Sequence, residues 1–125
     1  MQYPSIRTGR LELVPATLQI LISDRNERAM LARLLDADIP ASWPPELVDK
    51  ATMDEFIRLQ AEQSDPHFCS WYWIRCGQDR VLIGSGGIAS VPGESDTVMI
   101  GYSVLGEFQN RGYATEAVQH LVSFI

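Results

Sequence analysis

Hydrophobic and polar positions divide the chain into segments of two periods. From Val98 to Val104 the run Val-Met-Ile-Gly-Tyr-Ser-Val alternates as a half-buried strand does. After a short turn, Ala114, Ala117, Val118, Leu121, Val122 and Ile125 recur at helical spacing, opposite Glu116, Gln119, His120 and Ser123. Upstream, Phe68 to Arg75 carries Trp71, Tyr72, Trp73 and Ile74, which give high strand propensity on both faces. Val81 to Gly84 forms a short apolar strand that Ile88 to Val91 continues, and Pro92 to Asp96 turns the chain. Gly84, Gly86 and Gly87 mark a bulge or a close backbone approach within that strand.

The first half reads as one strand followed by helices. Arg10 to Pro15 is the strand, stopped by Pro15. Leu18, Leu21 and Ile22 predict a short helix, and Asp24 with Glu27 has the spacing of a capping box for a second piece carrying Met30, Leu31, Leu34 and Leu35. The two pieces together could equally form one bent helix. Pro40, Pro44 and Pro45 make residues 39–45 a loop, in which Trp43 either covers the edge of the core or lines a pocket. Thr52 and Glu55 then cap a further helix with Met53, Phe56 and Ile57 facing inward.

Length and composition change this picture little. At 125 residues, with 46% hydrophobic and 21% charged content, the chain reads as one globular domain over residues 1–125. No apolar run approaches the ~20 residues that span a bilayer, and the start lacks the apolar core of a signal peptide, so no membrane partner and a cytoplasmic location are expected. A net charge of −6 would repel nucleic-acid phosphates. Cys69, Cys76, His67 and His120 have neither disulfide nor metal-ligand spacing, and no metal site is expected.

The chemistry concentrates at Gln109-Asn110-Arg111-Gly112-Tyr113-Ala114-Thr115, between the last strand and the last helix. Gly112 and the small Ala114 permit close approach there, and the first amides of the helix lack intrahelical acceptors. With the helix dipole behind them, such amides suit a phosphate group. Neither Gly-x-x-x-x-Gly-Lys-Ser/Thr nor Gly-x-Gly-x-x-Gly is present. Gln109, Gly112 and Ala114 do spell Gln-x-x-Gly-x-Ala after a strand ending Gly-Tyr-Ser-Val, and this resembles the acyl-CoA pyrophosphate loop of the GNAT superfamily of N-acetyltransferases. Thr8, Arg10, Leu11 and Leu13 are similar to the Thr-x-Arg-Leu-x-Leu opening of its ribosomal-protein-acetyltransferase branch.

The resemblance implies an α+β fold in three layers, with a mixed, mostly antiparallel central sheet and flanking helices. It implies transfer of an acetyl group from acetyl-CoA to a primary amine of a protein or small molecule. The pyrophosphate would rest on the amides of Gln109 to Ala114, with Arg111 and the Thr115 hydroxyl as further contacts. The pantetheine arm would run along the backbone of Tyr102, Ser103 and Val104, with an N–H near Val104 polarising the thioester. Glu94, Asp96 and Glu107 are carboxylates near this strand that could serve as a base, or solvated turn residues; no catalytic residue is assigned.

The family's later strands and helix have no counterpart within these 125 residues: either the chain is a fragment of a longer protein, or, as a mature form, it is expected to transfer weakly and to cover its sheet edge with a second copy. A non-catalytic acyl-CoA-binding or dimerisation module is the alternative.

Overall fold

The computed structural model describes residues 4–46, 48–63, 65 and 68–124. Strands β1 (Ile6–Arg7), β2 (Leu11–Pro15), β3 (Cys69–Arg75), β4 (Val81–Val91) and β5 (Glu94–Val104) form one sheet in that spatial order. Among the described residues every ladder is antiparallel, and parallel pairing is confined to a single bridge between Asp38 and Val81. Helices α1 (Leu18–Asn26), α2 (Arg28–Leu35) and α3 (Lys50–Glu62) lie between β2 and β3 in the chain, and α4 (Tyr113–Phe124) follows β5.

β3, the middle strand, decides the layering. Its side chains alternate between the two faces of the sheet. Tyr72 and Ile74 pack with Leu21 of α1, Leu31 and Leu35 of α2 and Met53 of α3. Trp71 and Trp73 pack with Leu11, Leu13 and Ile83 beneath Tyr113, Ala117 and Leu121 of α4. These four β3 side chains are at most 2% exposed. Burying a side chain of that size contributes roughly 1.5–3 kcal/mol, so one strand ties both outer layers to the sheet.

The glycines of β4 make room for this packing. A Cβ on Gly86 would stand 2.8 Å from Cζ2 of Trp73 and 2.7 Å from Cβ of Tyr102. Bare backbone there lets the Trp73 and Tyr102 rings stack with centroids 5.8 Å apart. The bulge expected among these glycines is present: Trp73 pairs with Gly84 but Ile74 with Leu82, leaving Ile83 as the extra residue.

The two helical pieces read from the sequence are present, rather than one bent helix: α1 and α2 are separate, broken at Glu27, whose φ of −148° and ψ of 87° are not helical. Several other local expectations are corrected. The first strand is preceded by β1, a two-residue strand too short to show a period. Asp24 and Glu27 form no capping box. Asp24 lies within α1, where Oδ1 accepts from Trp43 Nε1 at 2.8 Å and Oδ2 from the Tyr72 hydroxyl at 2.6 Å. Trp43 is accordingly a core residue, 2% exposed. Burial pushes the Asp24 carboxyl above its ordinary range, against the lowering pull of the Tyr72 and Trp43 hydrogen bonds and of Arg28.

The cap of α3 is Asp49, which accepts from the Thr52 amide at 2.8 Å, while Glu55 pairs with Arg58 one turn on. β5 begins at Glu94, so the turn before it is tighter than the sequence predicts, with Gly93 at φ 82° and a register shift at Ser90 and Val91. Val122, expected in the apolar stripe of α4, is 55% exposed. His67 and Ile125 lie outside the described residues.

The Asp24 cluster yields a prediction. Tyr72→Phe leaves one carboxylate oxygen of a half-buried charge without its donor and should lower the unfolding free energy by about 1.5–3 kcal/mol in urea titration. A loss below about 0.5 kcal/mol would show that water replaces the phenol without cost.

Candidate functional site

Where β5 gives way to α4, the polypeptide frames a cleft of about 970 Å³. One wall is the end of β5, Tyr102 to Val104; a second is the turn from Gln109 into α4; the third is the proline loop, with Ser42, Pro44, Pro45 and Glu46. Of the residues singled out in the sequence, Tyr102, Ser103, Val104, Gln109, Asn110, Gly112, Tyr113, Ala114 and Thr115 all line it. Arg111 does not; its guanidinium lies 6.0 Å over the ring of Phe108.

β5 is the edge of the sheet. The Leu105 amide donates to the Ile83 carbonyl at 2.8 Å, and in an antiparallel strand the direction of these groups alternates. The backbone groups of Val104 and Tyr102 therefore face away from β4, toward the open edge. The Val104 carbonyl already accepts from Nε2 of Gln109 at 2.9 Å. That leaves the Val104 amide and both backbone groups of Tyr102 as the edge's polar offer at the cleft.

A single turn of 3-10 helix, Gly106–Phe108, then reverses the chain, and the Gln109 amide closes on the Gly106 carbonyl at 3.2 Å. Asn110 and Gly112 both take left-handed backbone, φ 62° and 82°. Glycine is favoured at 112 for that reason and for a second: a Cβ there would stand 3.3 Å from Nη2 of Arg10. The first helical bond of α4 runs from the Glu116 amide to the Gly112 carbonyl at 3.0 Å. The amides of Tyr113, Ala114 and Thr115 precede it, so they are donors without an intrahelical acceptor.

The residues that hold this turn come from the start of the chain. The Glu116 carboxylate receives Thr8 Oγ1 and the Arg10 amide on Oε2, the latter at 2.8 Å, and Nε of Arg10 on Oε1 at 2.8 Å. Nη1 of Arg10 donates to the Arg111 carbonyl at 3.0 Å, and the same guanidinium lies 4.3 Å over the Tyr113 ring. Helical periodicity places Glu116 on the solvent side of α4. It is instead half-buried against the β1–β2 turn, a long-range contact that no local pattern announces.

The carboxylates proposed as bases separate clearly. Glu94 and Asp96 lie at and near the far end of β5, roughly 33 and 26 Å from Val104 by the rise of a strand. Glu107 is exposed in the 3-10 turn and accepts from Ser42 Oγ at 2.8 Å, joining that turn to the proline loop. Glu46, which sequence reasoning passed over inside the proline loop, is the carboxylate that lines the cleft.

A second, more apolar cavity of about 280 Å³ is lined by α3 and by strands β3, β4 and β5. Phe56 and Phe68, with ring centroids 6.2 Å apart, face a floor that includes Ser70, Ser85, Gly87 and Gly101. The two cavities share Tyr102 and Ser103.

A family model described as an acetyltransferase (GNAT) domain matches residues 10–125. No curated protein matches the sequence. Among solved structures, a Vibrio cholerae protein described provisionally as a ribosomal-protein-serine acetyltransferase aligns with a TM-score of 0.58 at 19% identity, over 99% of this chain and 68% of that one. A GNAT-family acetyltransferase from Bacillus anthracis gives 0.55 at 16% identity, over 97% of this chain and 65% of that one. The ribosomal-protein-S5-alanine acetyltransferase of Vibrio fischeri gives 0.56 at 14% identity, over 98% and 67%. The chain thus spans about two thirds of the length of these structures.

The Glu116 cluster predicts a pH dependence. Burial raises this carboxyl, but the Thr8 hydroxyl and the Arg10 amide and guanidinium outweigh burial and hold it below its ordinary range. A depressed folded value stabilises the protein above the unfolded value of about 4.3. That stability is lost as pH falls through the folded value. The stability gap between wild type and Glu116→Gln should therefore be widest near neutral pH and close on acidification. A gap unchanged down to pH ~3 would refute the ion pair.

Proposed function

The chain belongs to the GNAT acetyltransferase family, and from that membership we propose that it transfers the acetyl group of acetyl-CoA to a primary amine. The observation that carries this reading is the convergence, in one cleft, of unpaired amides at the start of α4 and outward-facing backbone at the end of β5. The pyrophosphate of CoA is dianionic and needs donors, which Gly112 to Thr115 offer at the positive end of a helix dipole. The pantetheine arm contains amide groups spaced to pair with an open strand edge, which Tyr102 and Val104 offer.

In this reading the Val104 amide faces the thioester carbonyl and stabilises the negative charge that grows on its oxygen during attack. The neutral amine adds to the carbonyl carbon, the carbon–sulfur bond breaks, and the amine's proton leaves as the CoA thiolate gains one. The protein's contribution is proximity and orientation. Glu46 places negative charge where a cationic amine arrives, and the apolar cavity beneath Phe56 and Phe68 receives the acceptor's carbon skeleton. A protein N-terminus and a small amine both satisfy these features. A non-catalytic acyl-CoA-binding module would show the same affinity for CoA without release of free thiol when an amine is supplied.

The remaining length of β5, from Glu94 to Ile100, presents edge backbone that the pantetheine arm does not use, and we assign this stretch to a second copy of the chain. Light scattering at micromolar concentration should then give about 28 kDa, twice the 14.0 kDa of one chain; a clean monomer would contradict the assignment.

Gly112→Asp tests the cofactor site. The substitution adds a side chain to left-handed backbone and a negative charge beside the pyrophosphate, and should weaken acetyl-CoA binding at least about tenfold in isothermal titration. Equal affinities for the two proteins would remove this turn as the site.

A further inference from the structure

We propose that Arg10 is a positioning residue of the phosphate-binding turn, aiming the Gly112 amide into the cleft by holding the Arg111 carbonyl on the opposite side. This rests on the reading of the cleft as a CoA site. In a trans peptide unit the C=O and the following N–H lie in one plane and point in opposite directions. Nη1 of Arg10 fixes the Arg111 oxygen at 3.0 Å, outside the cleft that Gly112 lines. The Gly112 N–H of the same unit is thereby turned the other way.

This peptide unit turns through ψ of Arg111 and φ of Gly112, and Gly112, left-handed at φ 82° and without a Cβ, by itself allows it to rotate. A flipped unit would present a carbonyl oxygen to an anion. Arg10 removes that alternative, and it is itself immobilised twice: by Glu116 through Nε at 2.8 Å and by the Tyr113 ring at 4.3 Å. The fork is essential to this role. A guanidinium reaches the carboxylate and the carbonyl at once, with planar donors that also stack on the ring, whereas an ammonium is a single point of charge.

Arg10 is substantially exposed, with 46% of its side chain accessible, so its replacement should leave the fold intact. The test is isothermal titration of CoA into wild type, Arg10→Lys and Arg10→Met, with the Gly112 amide followed by ¹H–¹⁵N NMR. Wild type binds, and both variants bind at least about tenfold more weakly, with the Gly112 amide resonance displaced and the spectrum otherwise native. Should Arg10→Met not fold, Arg10→Lys decides. Wild-type affinity in Arg10→Lys would overturn the proposal, because charge alone would then suffice. So would weakened binding with an unmoved Gly112 resonance. Failure of wild type to bind CoA at all would instead refute the function from which the proposal starts.

Discussion

One carboxylate, that of Glu116, connects the two ends of this fold. Its oxygens take a hydroxyl, an amide and a guanidinium nitrogen from the turn between β1 and β2, over a hundred residues away in the chain. Without it, the first turn of α4 would depend mainly on the apolar contacts of Tyr113, Ala117 and Leu121, which fix distance better than they fix orientation. Charge-assisted hydrogen bonds add direction. Because Arg10 also grips the Arg111 carbonyl, the geometry of the turn into α4 is tied to the N-terminal hairpin as well as to the loop itself.

The sheet supplies the second half of the site by what it leaves unpaired. β3 is saturated on both faces and both edges; β5 is paired only to β4. The same alternation that sends Trp73 toward α4 and Tyr72 toward α1–α3 turns the Tyr102 and Val104 backbones outward at the cleft. Gln109 occupies the Val104 carbonyl and leaves the Val104 amide and the Tyr102 backbone groups open at the edge. The two cavities meet at Tyr102 and Ser103 of that strand.

Local chemistry was legible in the sequence; partnership across the chain was not. The β3 burial pattern, the strand–turn–helix around Gly112 and the cleft-lining residues on β5 and α4 follow from periodicity and a short motif. Asp24 illustrates the limit. Its spacing to Glu27 satisfies a capping box, yet two buried donors, Trp43 and Tyr72, compete for the same carboxylate and win because they would otherwise be unsatisfied. Glu116 was placed on a solvated face for the same reason: helical period reports which side is apolar, not which polar side chain meets a distant turn. Asp49 shows a smaller error of the same kind, where an equally good cap three residues upstream displaces Thr52. Glu46 sits in a proline-rich stretch with no periodic signal, so only the folded loop reveals that it faces the cleft.

The central claim is that one cleft between β5 and α4 holds both halves of a CoA molecule, and a crystal structure of the chain with CoA tests it most directly. The account predicts the pyrophosphate within hydrogen-bonding distance of the amides from Gly112 to Thr115, and the pantetheine arm paired to Tyr102 and Val104. Pyrophosphate bound elsewhere, with those amides facing only water, would contradict it.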